Sequence, residues 1–506
     1  MTDSNRERET SVHLRSLVDT VLEEGNLDSA IILLDRLRNP VYKPYGPHIR
    51  HVLYLALFPP PTADAPTPSA PVLDIIPSSP SKFAAKNRQP FCLSPTLIEA
   101  AQNLLRALVQ THSPASIARA LPNYGLTGVD NFPDVVPIAD NKEDDGESEL
   151  SRLSRRIKDA RSCWDIVKEN YIRPDPVNDI PYNSGRKSGR LTTIQSTSTI
   201  EDSDHILKPV ADHAFPVLES LVSLFEKEES TISTRFGFPF SPHFLAQIPS
   251  SRSASGARWD VAAPLDIIFY CLQQSSHADL GAKMLVLLIN LTNTVHLDFA
   301  MLLNAVATRL LSLSPECLQT MFSLLPPSAT SLKFQVSLCQ LSLAHSSGGS
   351  HRSRPRPQAR NAHRPVPSRL ANDPSLKGSS FAVDSSMPST LARKFPPVHF
   401  TEVLETFSSP LSPDTDPPTL MRKLHLKFFL ITAVGELQDR VALVERDPDW
   451  VDIVQSGRLK QAIDFAFSLE DIPNLTEMGR ELAEDLKNML SLVSAGWCMQ
   501  PSVGAD

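Results

Sequence analysis

The sequence predicts a mainly α-helical protein: an irregular α-solenoid or helical array, HEAT- or armadillo-like in kind, with long disordered proline-rich linkers. Three observations predict it. The stretch from Trp259 to Ala344 is the most apolar in the chain and reads as four or five consecutive helices joined by short turns. Apolar residues elsewhere recur three and four apart, the spacing that lines one helix face. The 44 prolines among 506 residues cluster, so helical blocks alternate with tracts too polar to offset their ordering entropy. No fixed-period self-similarity is present, which makes any repeat a degenerate one.

Val12, Leu14, Leu17, Val18, Val21 and Leu22 make the first helical face, closed by Gly25-Asn26. Leu27 to Leu37 follows, with Ile31, Leu34 and Leu37 aligned, giving an αα-hairpin. Pro40, Pro44 and Pro47 then bend the chain into a third short helix, Ile49 to Phe58. This unit, 1–58, is too small to bury much alone and is expected to dock on later helices. A proline, alanine and serine linker occupies 59–90.

A central helical array is expected over 91–345, interrupted by loops at 122–148, 173–204 and 230–258. It opens with a helix from Pro95 to Thr111. Acids from Glu143 to Glu149 then precede the cleanest periodicity in the chain. Leu150, Leu153, Ile157, Ala160, Trp164, Val167 and Tyr171 alternate spacings of three and four, which predicts one continuous helix with a single apolar stripe. The stripe packs within the array or forms a seam with a partner. Val210 to Glu229 is the next helix, and Glu226, Glu228 and Glu229 at its end, beside Lys227, read as a solvated face.

Within the central block, Asp260 caps the first helix, and Pro264 sits in its opening turn, where a missing donor is harmless. Leu280 to Leu291 is apolar all round but too short to span a bilayer, so it is the most buried helix. Leu297 to Leu313 is a third helix, and Ser314-Pro315-Glu316 starts a fourth. Leu332, Phe334, Val336 and Leu338 alternate as a strand would, yet the helical neighbourhood favours a buried helix. A disordered basic, proline- and serine-rich linker is expected at 346–395. A carboxy-terminal unit follows at 396–499, with helices at Phe400–Phe407, from Pro418 to Asp447, from Trp450 to Phe467, and from Leu475 to Trp497.

Composition excludes more than it assigns. The net charge of −8 gives no general attraction to nucleic acid or anionic lipid. No signal-peptide core or membrane-spanning run is read. The six cysteines are scattered, which suits buried thiols in a reducing, intracellular setting. Phosphate loops, dinucleotide fingerprints, the hydrolase elbow and Cys-x-x-Cys pairs are all missing from the sequence. His48 and His51 lie one helical turn apart without further ligands nearby, so no metal or other cofactor is expected.

Two features bear on regulation. Ser79-Pro80-Ser81-Lys82 fits the pattern that proline-directed kinases favour, which makes Ser79 a candidate phosphosite. Arg352, Arg354, Arg356, Arg360, Arg364 and Arg369 form a basic tract with no acid before Asp373. It reads as a solvated linker, as a nuclear-import or acidic-partner segment, or as a phosphate-binding one; the lack of aromatics argues against base stacking. The expected function is a non-enzymatic scaffold or adaptor binding other proteins through helical surfaces, nuclear in preference to cytoplasmic, in cell-cycle or chromosome work. The alternatives are a cytoplasmic trafficking or cytoskeletal adaptor, and an enzyme with an unfamiliar site. No membrane and no direct nucleic-acid contact is expected, and the oligomeric state stays open.

Overall fold

The structure, a computed structural model, describes residues 7–60, 93–122, 124, 149–172, 207–236, 238–249, 260–346, 398–411, 416–440, 446–469 and 477–499. The described residues are mainly helical, with nineteen α-helices and one two-stranded parallel ladder, β1 (Arg8–Glu9) on β2 (Tyr42–Lys43). Of the linkers expected at 59–90 and 346–395, residues 61–90 and 347–395 lie outside the described residues, as do nearly all of the loop expected at 122–148, the whole of that at 173–204, residues 237 and 250–258 of that at 230–258, Ser79 and the six arginines of the basic tract. The chain divides into two units, Met1–Pro326 and Pro327–Asp506.

The first unit begins with α1 (Val12–Glu23), whose cap Ser11 accepts from the Leu14 amide, and α2 (Leu27–Leu37). Gly25 makes the turn between them at φ 75°, a conformation that favours glycine. Next come α3 (Gly46–Ala56), α4 (Pro95–Thr111) and the short α5 (Pro114–Ala118). Helix α3 packs on α4, and α2 also lies on α4, so the amino-terminal hairpin buries its apolar face against the later chain.

The stripe from Leu150 to Tyr171 does not form one helix. It gives α6 (Glu149–Asp159), a break, and the single turn α7 (Cys163–Ile166). The reason is tertiary. Trp164 turns inward, where its Nε1 donates to the Gln247 carbonyl at 2.9 Å, and its ring meets Phe244 edge-on at 5.5 Å. Gln247 is itself buried. Its side-chain oxygen accepts from the Cys163 amide at 2.7 Å, and its side-chain nitrogen donates to the Pro122 carbonyl at 2.7 Å. A straight helix could not present Trp164 to that network while keeping Leu153 and Ile157 against α3. Leu150, Leu153, Ile157, Trp164 and Val167 are all buried inside the unit, and Tyr171 is half-buried with its hydroxyl donating to the Arg156 carbonyl.

Helix α8 spans Phe215–Phe236, so it runs seven residues past the end that the sequence suggests. The hydroxyls of Ser230 and Thr231 donate to the Lys227 carbonyl, which lets the polar run continue the helix. The expected loop after it also contains α9 (Pro242–Leu245), capped by Ser241. Helices α10 (Ala262–Leu272), α11 (Ala278–Leu291), α12 (Phe299–Leu310) and α13 (Pro315–Leu324) then follow in the expected order. Met284, Leu285, Leu288 and Ile289 of α11 are completely buried. Each such side chain contributes roughly 1.5–3 kcal/mol on leaving water.

The second unit starts with α14 (Ala329–Ser346), which settles the choice between strand and helix for Leu332 to Leu338 in favour of helix. Grouped with the central array on sequence grounds, α14 instead packs along α16 (Pro417–Arg440), the long helix at the centre of this unit. Around α16 lie α15 (Phe400–Phe407), α17 (Pro448–Gln455), α18 (Arg458–Ala466) and α19 (Glu477–Met499). The expected helix from Trp450 to Phe467 is therefore two helices. Gly457 adopts φ 74° between them, which no β-carbon-bearing residue takes readily.

Candidate functional site

Several polar residues of the first unit are used inward. Lys227 on α8 donates its Nζ to the carbonyls of Val109, Gln110 and His112 at 2.7–2.9 Å, holding the carboxy-terminal end of α4. Its neighbours Glu228 and Glu229 are buried, which corrects the reading of a solvated face. Glu228 accepts from the Ser241 hydroxyl and from the His243 amide, and so fixes the start of α9. Glu229 accepts from the Asn290 side chain of α11 at 3.0 Å, while its other oxygen meets no partner among the described residues. Burial therefore pushes the Glu229 carboxyl up to about 8. Glu226 is raised in the same direction for the same reason.

Histidines line the other interior site. His48 and His51 of α3 are both buried. His48 Nε2 meets Asp19 at 2.8 Å, and His51 Nε2 meets the Ser151 hydroxyl at 3.3 Å. Burial drives His51 down to about 4, with the nearby His48 adding to the effect. His112, at the end of α4, is buried and lowered by burial, and neither ring nitrogen meets a well-aligned partner. His48 and His112 border a cavity of about 40 Å³ closed by Leu14, Val18, Leu34 and Tyr45. That is room for a few waters and far below the ~300 Å³ at which small-molecule sites begin. The arrangement can hold a neutral imidazole against apolar walls. No cluster of three or more metal-ligating side chains occurs among the described residues, and none of their helices is long and apolar enough to cross a membrane.

The surface carries the stronger candidate. Helix α19 has two apolar faces. One holds Ala483, Leu486 and Leu490, buried against the unit, with Trp497 half-buried on the same side, stacked edge-on with Trp450 at 5.2 Å. The other, roughly a quarter-turn round the helix, carries Met478, Leu482, Met489, Leu492 and Val493. Met478 is 71% exposed, Met489 51% and Leu492 75%. Asp485 falls inside that outer stripe, and Glu477, Glu481 and Glu484 flank one edge of it, all exposed. None of these four acids forms an ion pair among the described residues; the one ion pair that α19 makes there, Lys487 with Asp464 of α18 at 3.1 Å, lies on the far side of the helix.

Sequence reasoning did not single out the outer stripe, although its signal is present. Two sets of apolar residues at helical spacing run through 477–499, one more than folding against a single neighbour requires. The predicted stripe at Leu150 to Tyr171 is the opposite case, since its residues are enclosed. Compared with known protein families, with curated proteins and with solved structures, the chain matches none.

Proposed function

We propose that this chain is a non-enzymatic helical scaffold or adaptor that assembles with other proteins, and that the outer face of α19 is one of its binding surfaces. The observation that carries this reading is the exposure of Met478, Met489 and Leu492 on a helix whose other face is already packed. Apolar residues aligned along a surface helix, next to charged ones, are what a partner segment covers; scattered ones would need no explanation. Methionine suits such a surface because its unbranched chain adapts to different contours. The array-like character of the fold belongs to the same proposal. It is supported by α11 packing on α10, and by α12 and α13 each packing on both of those helices.

Proximity labelling in cells with the full chain tests the reading. Leu492→Asp alters an exposed position, so its melting temperature should match the unaltered protein while part of the set of labelled partners disappears. An unchanged set would remove α19 from the binding surface. The nuclear setting rests on the arginine tract, Arg352 to Arg369. A reporter fused to 345–394 should enter the nucleus, and an evenly spread reporter would favour the cytoplasmic adaptor.

A further inference from the structure

We infer that the outer face of α19 docks a basic amphipathic helix of another protein, one that sets apolar residues on the Met478–Leu492 stripe and a lysine or arginine on Asp485. The inference rests on the binding reading above and deepens it by naming the partner's chemistry. Its ground is the distribution of charge. Glu477, Glu481, Glu484 and Asp485 are exposed and make no ion pair among the described residues. Arg480, at neighbour spacing from Glu477 and Glu484, and Lys487, three residues on from Glu484, lie beyond the acidic edge and away from the stripe, which leaves Glu481 and Asp485 as the acids nearest it. The face therefore presents an apolar strip with an acidic edge and one carboxylate within it.

Each rival occupant meets that carboxylate badly. Asp485 is the midpoint between Met478 and Leu492. A second copy of this helix, paired in parallel about a two-fold axis or antiparallel with the stripe centred on itself, would set Asp485 against Asp485. Two carboxylates facing each other in an apolar seam repel and lose hydration together. An anionic bilayer would meet the acidic edge, whereas helices that lie on membranes carry lysine and arginine there. A basic helix meets both features at once. Its apolar face covers the methionines and leucines, and its cations neutralise the edge, with Asp485 fixing the register as a single polar seam position does in coiled coils.

The test uses the full chain and a fluorescent amphipathic peptide of about five helical turns, leucine on one face and lysine on the other, with its glutamate counterpart as control. The lysine peptide is expected to bind at least about tenfold more tightly at low salt, and more weakly as salt screens the edge. Leu492→Asp should reduce that binding about tenfold or more, and Asp485→Lys combined with Glu481→Lys should shift the preference to the glutamate peptide. Equal binding of the two peptides, or binding indifferent to Leu492→Asp, overturns the inference. So does a concentration-dependent dimer that Leu492→Asp dissociates, which would make the occupant a second copy. If the peptides fail but Leu492→Asp still strips partners in cells, the basic-helix assignment falls and the binding reading stands. If Leu492→Asp changes neither, both fall.

Discussion

Lys427 is buried on α16, with no carboxylate paired to it among the described residues. Its Nζ donates to the Ser409 carbonyl at 2.6 Å and to the Ala466 carbonyl at 3.2 Å, just past the end of α15 and at the end of α18. The ammonium thus sits at the negative ends of two helices, the same device that Lys227 uses on α4 in the other unit. Burial, helped by the charge of Lys423, lowers its pKa to about 8. Such a residue is invisible in sequence, because its partners are backbone carbonyls that only the fold brings together. Gly435 is another. A β-carbon there would fall inside the Trp497 ring, so this glycine is what allows α19 to close on α16. Gly435→Ala should destabilise the unit by about 1–3 kcal/mol, the usual penalty for forcing volume into a packed site. Because Trp497 must move, its fluorescence should change in the folded protein; an unchanged spectrum with unchanged stability would show that the ring is not held there.

At the scale of elements, the sequence reading finds most helices and misplaces their breaks. Apolar spacing reports which residues face inward, and α4, α13 and α15 begin and end where their caps and prolines suggest. It does not report where the chain bends to satisfy a distant partner. The stripe at Leu150 to Tyr171 shows the difference: its apolar residues are nearly all enclosed, yet α6 and α7 are separate because Gln247, far along the chain, binds at their junction. The acids of α8 fail for a related reason. Local composition marks them as surface, and the turn at Ser241 together with Asn290 brings them inside. Ile157, fully buried on α6 against α3, gives the direct check. Ile157→Asp would bury a carboxylate with no partner and should lower stability by more than about 3 kcal/mol, read by urea denaturation. A variant of normal stability would show that α6 is not held against α3.

On the scale of the whole molecule, buried titratable groups make the stability of the first unit depend on pH in opposite senses. His51, His112 and His213 are all lowered below 6.5 by burial. Between their folded values and 6.5 the unfolded chain holds more protons, so stability is lost as pH falls through that window. Glu229 has the opposite sense. Its folded value of about 8 lies above the unfolded 4.5, so the native state holds the extra proton and stability is lost as pH rises from about 4.5 to about 8. Glu229→Gln keeps the contact with Asn290 and removes the titration. It should leave stability little changed at about pH 5 and raise it by a few kcal/mol, in order of magnitude, at about pH 8. Denaturation curves for the two proteins at both pH values check this, and a difference independent of pH would mean that Glu229 is ionised throughout. None of this profile was legible beforehand. Which histidines and acids are buried depends on pairings such as α3 with α6 and α8 with α11, between segments far apart in the chain.

The lysine shared by α15 and α18 has a practical corollary. A free amine attacks acylating reagents, and near pH 8 much of Lys427 would be in that form; but its nitrogen is shut away from any reagent in solution. Acylation at this position should therefore lag behind that of every surface lysine and proceed only when the bundle around it opens. Mass spectrometry of timed modification would then read the opening rate of this unit from one side chain, and prompt labelling of Lys427 in the folded protein would show that the enclosure is not there.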